Sequence, residues 1–233
     1  METEIIEKII PKGRPNRPGY SMQPKYITIH DTANPSKGAD ALAHARFLQT
    51  TVQKSSWHYT VDDQRIVQHL PINESAWHAG DGASGKGNRS SIGIEICENE
   101  GIDRARAEKR AAELVAYLLQ RLNLPLEAVV PHKHWSGKNC PHLLLPRWGE
   151  FIALVKGKLA EYQQAASRPQ PAEKPAGEAL VQEKASLPAE VKTPAAEEAL
   201  ALKALQEQLL HLEARLARLE AAVFGEQAGS SGG

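Results

Sequence analysis

Residues 91–98 read Ser-Ile-Gly-Ile-Glu-Ile-Cys-Glu, and this alternation sets the fold class of the N-terminal part of the 233-residue chain. Ile92, Ile94 and Ile96 occupy every second position, so a strand here presents one continuous apolar face. Glu95 falls on the opposite face, where a carboxylate in a strand interior is unusual without a partner. The stretch therefore predicts a strand with one face in the core and a candidate functional group on the other.

Outward from this strand, further periodic segments indicate a mixed α/β domain. Residues 26–30 alternate as a second strand, and residues 57–61 and 65–70 predict a hairpin around Asp62-Asp63-Gln64. Helices are predicted over three segments, residues 38–50, 103–122 with Asp103 as the N-cap, and 146–162. We expect a central mixed β-sheet flanked by helices, contained within residues 1–162.

The composition changes near residue 164, which marks the end of this domain. Residues 163–197 are rich in Pro, Ala, Glu and Lys and predict a disordered linker, because they cannot bury enough surface to offset their chain entropy. Residues 198–225 predict a coiled-coil helix, and residues 226–233 a disordered tail. The apolar a and d positions of this predicted coiled-coil helix, its seam, are Leu202, Leu205, Leu209, Leu212, Leu216, Leu219 and Val223. This spacing favours a homo-oligomer; the alternative is a helix folded back on the first domain.

The charge distribution narrows the classes of partner. The formal net charge is zero, with +3 on residues 1–162 and −3 on residues 163–233. No dense Lys/Arg stripe is present, so we expect no nucleic acid, although a mildly basic domain suits an anionic polymer such as a cell wall. No stretch is long and apolar enough for a membrane helix, so we expect no membrane contact. Residues 1–11 lack the pattern of a signal peptide, which predicts synthesis in a cytoplasm without an export signal.

Residues 131–142, Pro-His-Lys-His-Trp-Ser-Gly-Lys-Asn-Cys-Pro-His, form the segment richest in chemistry. Zinc prefers neutral imidazole and thiolate ligands, and a loop lets His132 and Cys140 converge on one ion. A catalytic zinc needs a third protein ligand, for which His30 at a strand end is the best candidate. Taken alone, His132 and Cys140 are equally compatible with a structural role. Cys97 is expected to be a buried, reduced thiol without a metal role.

Two charged residues suit the remaining steps of a hydrolysis. Glu95 beside a metal site is placed to act as a general base and then as a proton donor to a leaving amine. The ammonium of Lys138 is placed to stabilise an oxyanion on a scissile carbonyl. The alternative for Glu95 is a purely structural carboxylate paired with Arg89 or Lys138.

Four segments in order, ITIHDTAN, SAWHAGDG, SIGIEICEN and HKHWSGKNCPH, resemble the type 2 N-acetylmuramoyl-L-alanine amidases, within the superfamily of peptidoglycan recognition proteins and phage endolysins. The resemblance covers about residues 20–160. It implies a groove for glycan and stem peptide, and one Zn²⁺ per domain held by His30, His132 and Cys140. It also implies Glu95 and Lys138 as the catalytic pair. Peptidoglycan recognition amidases have a tyrosine at the position of Trp57 in this chain. Because a tyrosine-assisted mechanism is therefore not expected here, we assign the proton transfer to Glu95.

The resemblance implies hydrolysis of the amide between N-acetylmuramic acid and L-alanine in peptidoglycan. Its setting would be a phage or prophage endolysin that waits in the host cytoplasm and acts on the wall after release. Candidate substrate contacts are Trp57, Trp77, His78, Asn88 and Arg89. Two alternatives remain, a non-catalytic peptidoglycan-binding module and a cytoplasmic amidase that recycles soluble muropeptides.

Overall fold

The structure, a computed structural model, describes residues 4–167. Six strands and five α-helices lie in this range. The strands are β1 Ile5–Glu7, β2 Tyr26–Asp31, β3 Tyr59–Val61, β4 Ile66–Gln68, β5 Ser91–Ile96 and β6 Val129–Pro131. The helices are α1 Ala41–Thr50, α2 Lys86–Ser90, α3 Arg104–Leu122, α4 Lys133–Ser136 and α5 Trp148–Ser167. The predicted heptad helix and tail, and the predicted linker beyond residue 167, lie outside the described residues.

All six strands join one sheet in the order β1-β4-β3-β5-β2-β6. The pairing of β3 with β4 is antiparallel and the others are parallel, which confirms the expected mixed sheet and the hairpin. Asp62 makes the hairpin turn, because its Oδ1 accepts hydrogen bonds from the backbone N–H groups of Gln64 and Arg65 at 2.7 and 2.6 Å. The turn thus fixes the register of β3 against β4.

The sheet has one apolar face and one polar face. Ile27, Ile29 and the three isoleucines of β5 are fully buried against α3 and α5, where Leu114, Leu118 and Phe151 complete the core. On the other face α1 covers Val67 and Cys97 through Ala41 and Ala45. Because side chains alternate along a strand, burying the isoleucines on one side places His30 and Glu95 together on the other.

Capping residues set the helix boundaries. The side chain of Asp103 accepts from the N–H of Arg106 at 3.0 Å, so α3 begins where the sequence predicted. The first helix begins at Ala41 rather than at residue 38, because Asp40 caps it by accepting from the N–H of Ala43 at 2.8 Å. The last helix continues through residues 163–167, where the composition predicts linker, so that part of the prediction is wrong. That segment starts Gln-Gln-Ala-Ala, which favours helix.

The remaining differences concern short elements. The strands β1 and β6 and the helices α2 and α4 have three to five residues each, too few for a periodic pattern to identify them. Cys97 is a buried free thiol, and burial raises its pKa above the usual range. Among residues 4–167 there is no helix with the length and hydropathy needed to span a bilayer.

Candidate metal and catalytic site

The polar face of the sheet aligns two of the predicted residues. Register pairs His30 on β2 with Glu95 on β5, and Thr60 on β3 lies on the other side of Glu95. Glu95 Oε1 is 3.9 Å from His30 Nδ1, and only 13% of the Glu95 side chain is exposed. Thus two residues separated by more than sixty positions in sequence become neighbours near the carboxyl end of parallel strands, where ligand sites commonly form.

The segment after β6 brings the other two predicted ligands to the same place. The N–H of His132 donates to the carbonyl of Ile29 at 3.2 Å, which docks the start of the segment beside β2. The N–H of Lys133 donates to the carbonyl of Cys140 at 3.0 Å and closes the loop around α4. As a result His30, His132 and Cys140 are buried with their ligand atoms within 4.8 Å of one another.

Asp31, the residue after His30, anchors the far end of that loop. Its Oδ2 accepts from the N–H of Leu143 at 2.7 Å and its Oδ1 bonds to the guanidinium of Arg104. The ring of His142 lies 3.5 Å from the same carboxylate. The backbone carbonyl of Asp31 is 4.0 Å from the Cys140 sulfur. This anchor holds the thiol against the end of β2.

The donor set fits a zinc ion. His132 Nε2 lies 3.0 Å from the Ala79 carbonyl, which can only accept, so the proton is on Nε2 and Nδ1 has a free lone pair. His30 Nε2 lies 3.0 Å from His78 Nδ1, which accepts because His78 Nε2 donates to the Ser91 carbonyl, so the free lone pair of His30 is also on Nδ1. The Nδ1 atoms of His30 and His132 face each other at 3.0 Å, with the Cys140 sulfur 3.8 Å from the former. Lone pairs so close repel unless a cation lies between them.

The pKa shifts of the three candidate ligands are also consistent with a bound zinc ion. Burial lowers the pKa of His30 well below its usual value, with His78 and His132 adding to the effect, and burial lowers the pKa of His132. Both imidazoles are therefore neutral, as metal ligands must be. Burial raises the pKa of Cys140 to about 12. A thiolate in this position needs a cation beside it.

Glu95 and Lys138 supply the charges around the ligand set. Burial raises the pKa of Glu95 well above its usual value, and the ammonium of Lys138 opposes that rise. Glu95 Oε2 has no hydrogen-bond partner among the described residues. Lys138 is exposed on the loop and lines the same cavity as Glu95. A buried carboxylate with a raised pKa and a free oxygen suits proton transfer near neutral pH.

A cavity of about 210 Å³ opens over these residues. It is lined by His30, Asp31, Thr32, Ala33, His44, Ser55, Trp57, Trp77, His78, Glu95, His132, Lys138 and Cys140. A neighbouring recess of about 300 Å³ shares Thr32, His44 and Trp57 with it and extends along α1. A larger surface hollow, about 650 Å³, lies between α3 and α5 and contains none of the candidate residues. The cavity on the polar face is therefore the chemically relevant one.

Several cavity walls present polar atoms without partners. Thr32 Oγ1, His44 Nε2 and Trp77 Nε1 are buried and unpaired among the described residues. Sequence reasoning missed Thr32 and His44. Thr32 follows His30 by two positions, and that spacing was the available signal. His44 lies one helical turn after the cap of α1. A buried polar atom without a partner is costly, which makes these cavity-lining side chains candidates for contact with a polar ligand.

The five predicted substrate contacts separate into two groups. Trp57, Trp77 and His78 line the cavity. Asn88 and Arg89 on α2 do not. The Asn88 amide oxygen accepts from the backbone N–H groups of His78 and Ala79 at 2.8 and 2.9 Å, and the Arg89 guanidinium lies 4.2 Å from the centre of the Tyr20 ring. Consecutive residues of a helix point about 100° apart, so these two serve different neighbours.

Comparison with known proteins identifies the relatives of this chain. The family described as N-acetylmuramoyl-L-alanine amidase (Amidase_2) matches residues 20–143. XlyA of Bacillus subtilis (strain 168), an N-acetylmuramoyl-L-alanine amidase, is 56% identical over 153 residues, which are 66% of this chain. The chain spans only 51% of the length of that relative.

Two solved structures extend the likeness to the fold. One is the catalytic domain of XlyA, at 55% identity, and the other is a mutant endolysin from Bacillus subtilis, at 56% identity. Both match with a TM-score of 0.64, over 66% of this chain and 99% of theirs.

Proposed function

Because the chain belongs to the N-acetylmuramoyl-L-alanine amidase family, we propose that it hydrolyses the amide between N-acetylmuramic acid and L-alanine in peptidoglycan. The proposal includes one zinc ion, held by His30, His132 and Cys140. The observation that carries it is the convergence of two imidazole nitrogens and a thiol beside the buried carboxylate of Glu95. When bound, zinc supplies a Lewis acid that polarises the scissile carbonyl and lowers the pKa of water.

The protein's own groups carry the proton and the charge. Glu95 takes a proton from the attacking water and delivers it to the alanine nitrogen as the C–N bond breaks. Lys138 faces the cavity and stabilises the negative charge that develops on the carbonyl oxygen. The products are the lactyl carboxylate of the sugar and the free amino group of the stem peptide.

The cavity wall suits this substrate. Peptidoglycan near the scissile bond is rich in amide and hydroxyl groups, and Thr32, His44 and Trp77 each offer an unpaired polar atom. The indole of Trp57 already donates to Thr60 Oγ1 at 2.7 Å, which fixes its ring in the wall shared by the cavity and the recess. We assign these four residues to substrate contact.

Mass spectrometry of purified cell walls digested with the protein tests the reaction. We expect stem peptides that begin with a free L-alanine amine, together with glycan chains that remain uncut. New glycan ends or cuts between amino acids would overturn the assignment. Walls that bind the protein without any cleavage would indicate a non-catalytic binding module. Cleavage of soluble muropeptides but not of intact walls would indicate a recycling enzyme.

The wider setting is also a proposal. A solved relative at 56% identity is described as an endolysin. This supports a role as the endolysin of a phage or prophage, which is made in the host cytoplasm and lyses the host wall after its release. Residues 1–162 would then be the catalytic domain, because the catalytic domain of XlyA is matched over 99% of its length. The heptads in residues 198–225 would join several such domains and strengthen binding to a polymer.

A further inference from the structure

We infer that His78, Ala79 and Asn88 form a buttress that orients both histidine ligands, so that His78 and Asn88 are positioning residues rather than substrate contacts. The inference rests on the proposed zinc site. Two consecutive residues supply the outer hydrogen bond of both ligands: His78 Nδ1 lies 3.0 Å from His30 Nε2, and the Ala79 carbonyl lies 3.0 Å from His132 Nε2.

The direction of each hydrogen bond follows from the partners. His78 Nε2 lies 3.2 Å from the carbonyl of Ser91, which can only accept, so Nε2 donates. The ring is buried and neither partner carries a negative charge, so the ring is neutral and its Nδ1 accepts. His30 Nε2 must therefore donate to His78. The one remaining lone pair of His30 is then on Nδ1, the atom that faces His132 and Cys140.

Asn88 holds the two supports together. Its amide oxygen accepts from the N–H of both His78 and Ala79, and its amide nitrogen donates to the carbonyl of Gly82 at 3.0 Å. Every polar atom of this buried side chain is thus committed within the protein. A side chain whose amide oxygen and nitrogen both bind backbone groups, and which lies outside the cavity lining, is unsuited to binding substrate.

The sheet is shaped to receive the His78 ring. A Cβ on Gly93 would lie 2.8 Å from His78 Cγ and 2.9 Å from Nδ1, closer than side-chain atoms approach. The ring therefore packs directly on the backbone of β5, between the strand and His30. A glycine is needed at position 93 because a larger residue would occupy the space of the His78 ring. Substitution of Gly93 would therefore displace His78 without removing any hydrogen-bonding group.

The test compares two substitutions of one residue in the full-length protein. His78→Asn keeps an acceptor close to the position of Nδ1, whereas His78→Leu removes it. Zinc affinity is measured by competition with a chromophoric chelator. We expect His78→Leu to bind zinc about 10- to 100-fold more weakly and His78→Asn to recover most of that loss, as for other outer partners of metal-bound histidines. Asn88→Ala should also weaken zinc binding.

Controls separate positioning from folding and from substrate binding. His69→Leu removes another fully buried imidazole outside the ligand set, and it should lower stability while zinc affinity stays within about threefold. Gly93→Ala is the second variant if His78→Leu does not fold. The visible spectrum of the cobalt-substituted protein should change in Gly93→Ala and in His78→Leu, but not in His69→Leu.

The outcomes are distinct. His78→Leu with unchanged zinc affinity and cobalt spectrum but a raised KM would overturn the inference and make His78 a substrate contact. Equal losses in His78→Asn and His78→Leu would also overturn it, because the acceptor would not matter. Failure of the wild-type protein to cleave walls would count against the proposed function alone, since the order of zinc affinities does not depend on turnover.

Discussion

Replacing Glu95 by Gln isolates its proposed proton transfer from every other property of the site. The amide has nearly the same shape, but it cannot accept a proton from water. Loss of general acid–base catalysis costs about 10²- to 10⁴-fold in rate, which corresponds to roughly 3–5 kcal/mol of activation free energy. Asp31 is the other carboxylate in the cavity lining, but Arg104 and the N–H of Leu143 already bind its two oxygens, so it is poorly placed to substitute for Glu95. We therefore expect kcat to fall by at least about 100-fold.

The same substitution should leave the folded protein at least as stable. Burial raises the pKa of Glu95 in the folded state. At a pH above the pKa of Glu95 in the unfolded chain, the folded state therefore still holds a proton that the unfolded state has lost. This penalty grows as pH rises, and Gln removes it. In metal-free protein above pH 7, Glu95→Gln should unfold at an equal or higher temperature. A large loss of activity with no loss of stability is the signature of a functional group.

The assay follows free amine released from purified walls, alongside zinc content by elemental analysis. Glu98→Gln is the matched control, because Glu98 lies just after the end of β5, faces His142 and does not line the cavity. We expect the Glu98 variant to keep most of its activity. If Glu95→Gln retained more than about one tenth of wild-type kcat at equal zinc content, far above the range for a lost general base, the reasoning about Glu95 would be wrong.

Three further predictions concern the thiol ligand, the buried histidines and the heptads of the C-terminal sequence. Cys140→Ser should weaken zinc affinity by more than about 100-fold, because losing a ligand costs more than losing a hydrogen bond that supports a ligand. Competition with a chelator measures this affinity, and a near-normal value would remove Cys140 from the ligand set. Burial lowers the pKa of His58 to about 4 and that of His69 to about 3, so the stability that each contributes as a neutral group is full above pH 6.5 and declines below it. Urea unfolding should show a loss of about 2 kcal/mol per histidine between pH 8 and pH 5, and His69→Gln should reduce that loss; identical pH profiles for both proteins would contradict the assignment. Deletion of residues 195–233 should reduce the solution mass to that of a monomer by light scattering, and an unchanged oligomer would refute the predicted seam.

Much of the fold could be predicted because its signals are local. Alternating isoleucines identify β5, Asp103 marks the start of α3, and the turn at Asp62 identifies the hairpin. Each of these signals is complete within a few residues, so no knowledge of the rest of the chain is needed. The short elements β1 and β6 carry no such signal, since their strand character comes from pairing with the sheet.

The site could be predicted only in part, because its geometry depends on non-local pairing. Residue chemistry and the family resemblance pointed to the ligand set, but the sequence does not contain the register that places His30 opposite Glu95. The contrast between Trp77 and Asn88 has the same origin. The sequence predicts substrate contact for both, yet the structure places Trp77 in the cavity wall and turns Asn88 inward to bind backbone.

On the polar face of the sheet, neutral histidines form hydrogen bonds between buried groups. The use of neutral rather than charged side chains has an electrostatic consequence. An imidazole can donate at one nitrogen and accept at the other without carrying charge, as His58 does between the N–H of Gly93 and the carbonyl of Glu74. With zinc bound, the ion, the Cys140 thiolate, Glu95 and Lys138 would together carry one net positive charge, while the charge of Asp31 is balanced by Arg104. As Glu95 takes the proton of water, the negative charge moves from its carboxylate to the carbonyl oxygen, and the positive charges beside that oxygen would stabilise it there, so the site favours the transition state over the uncharged amide.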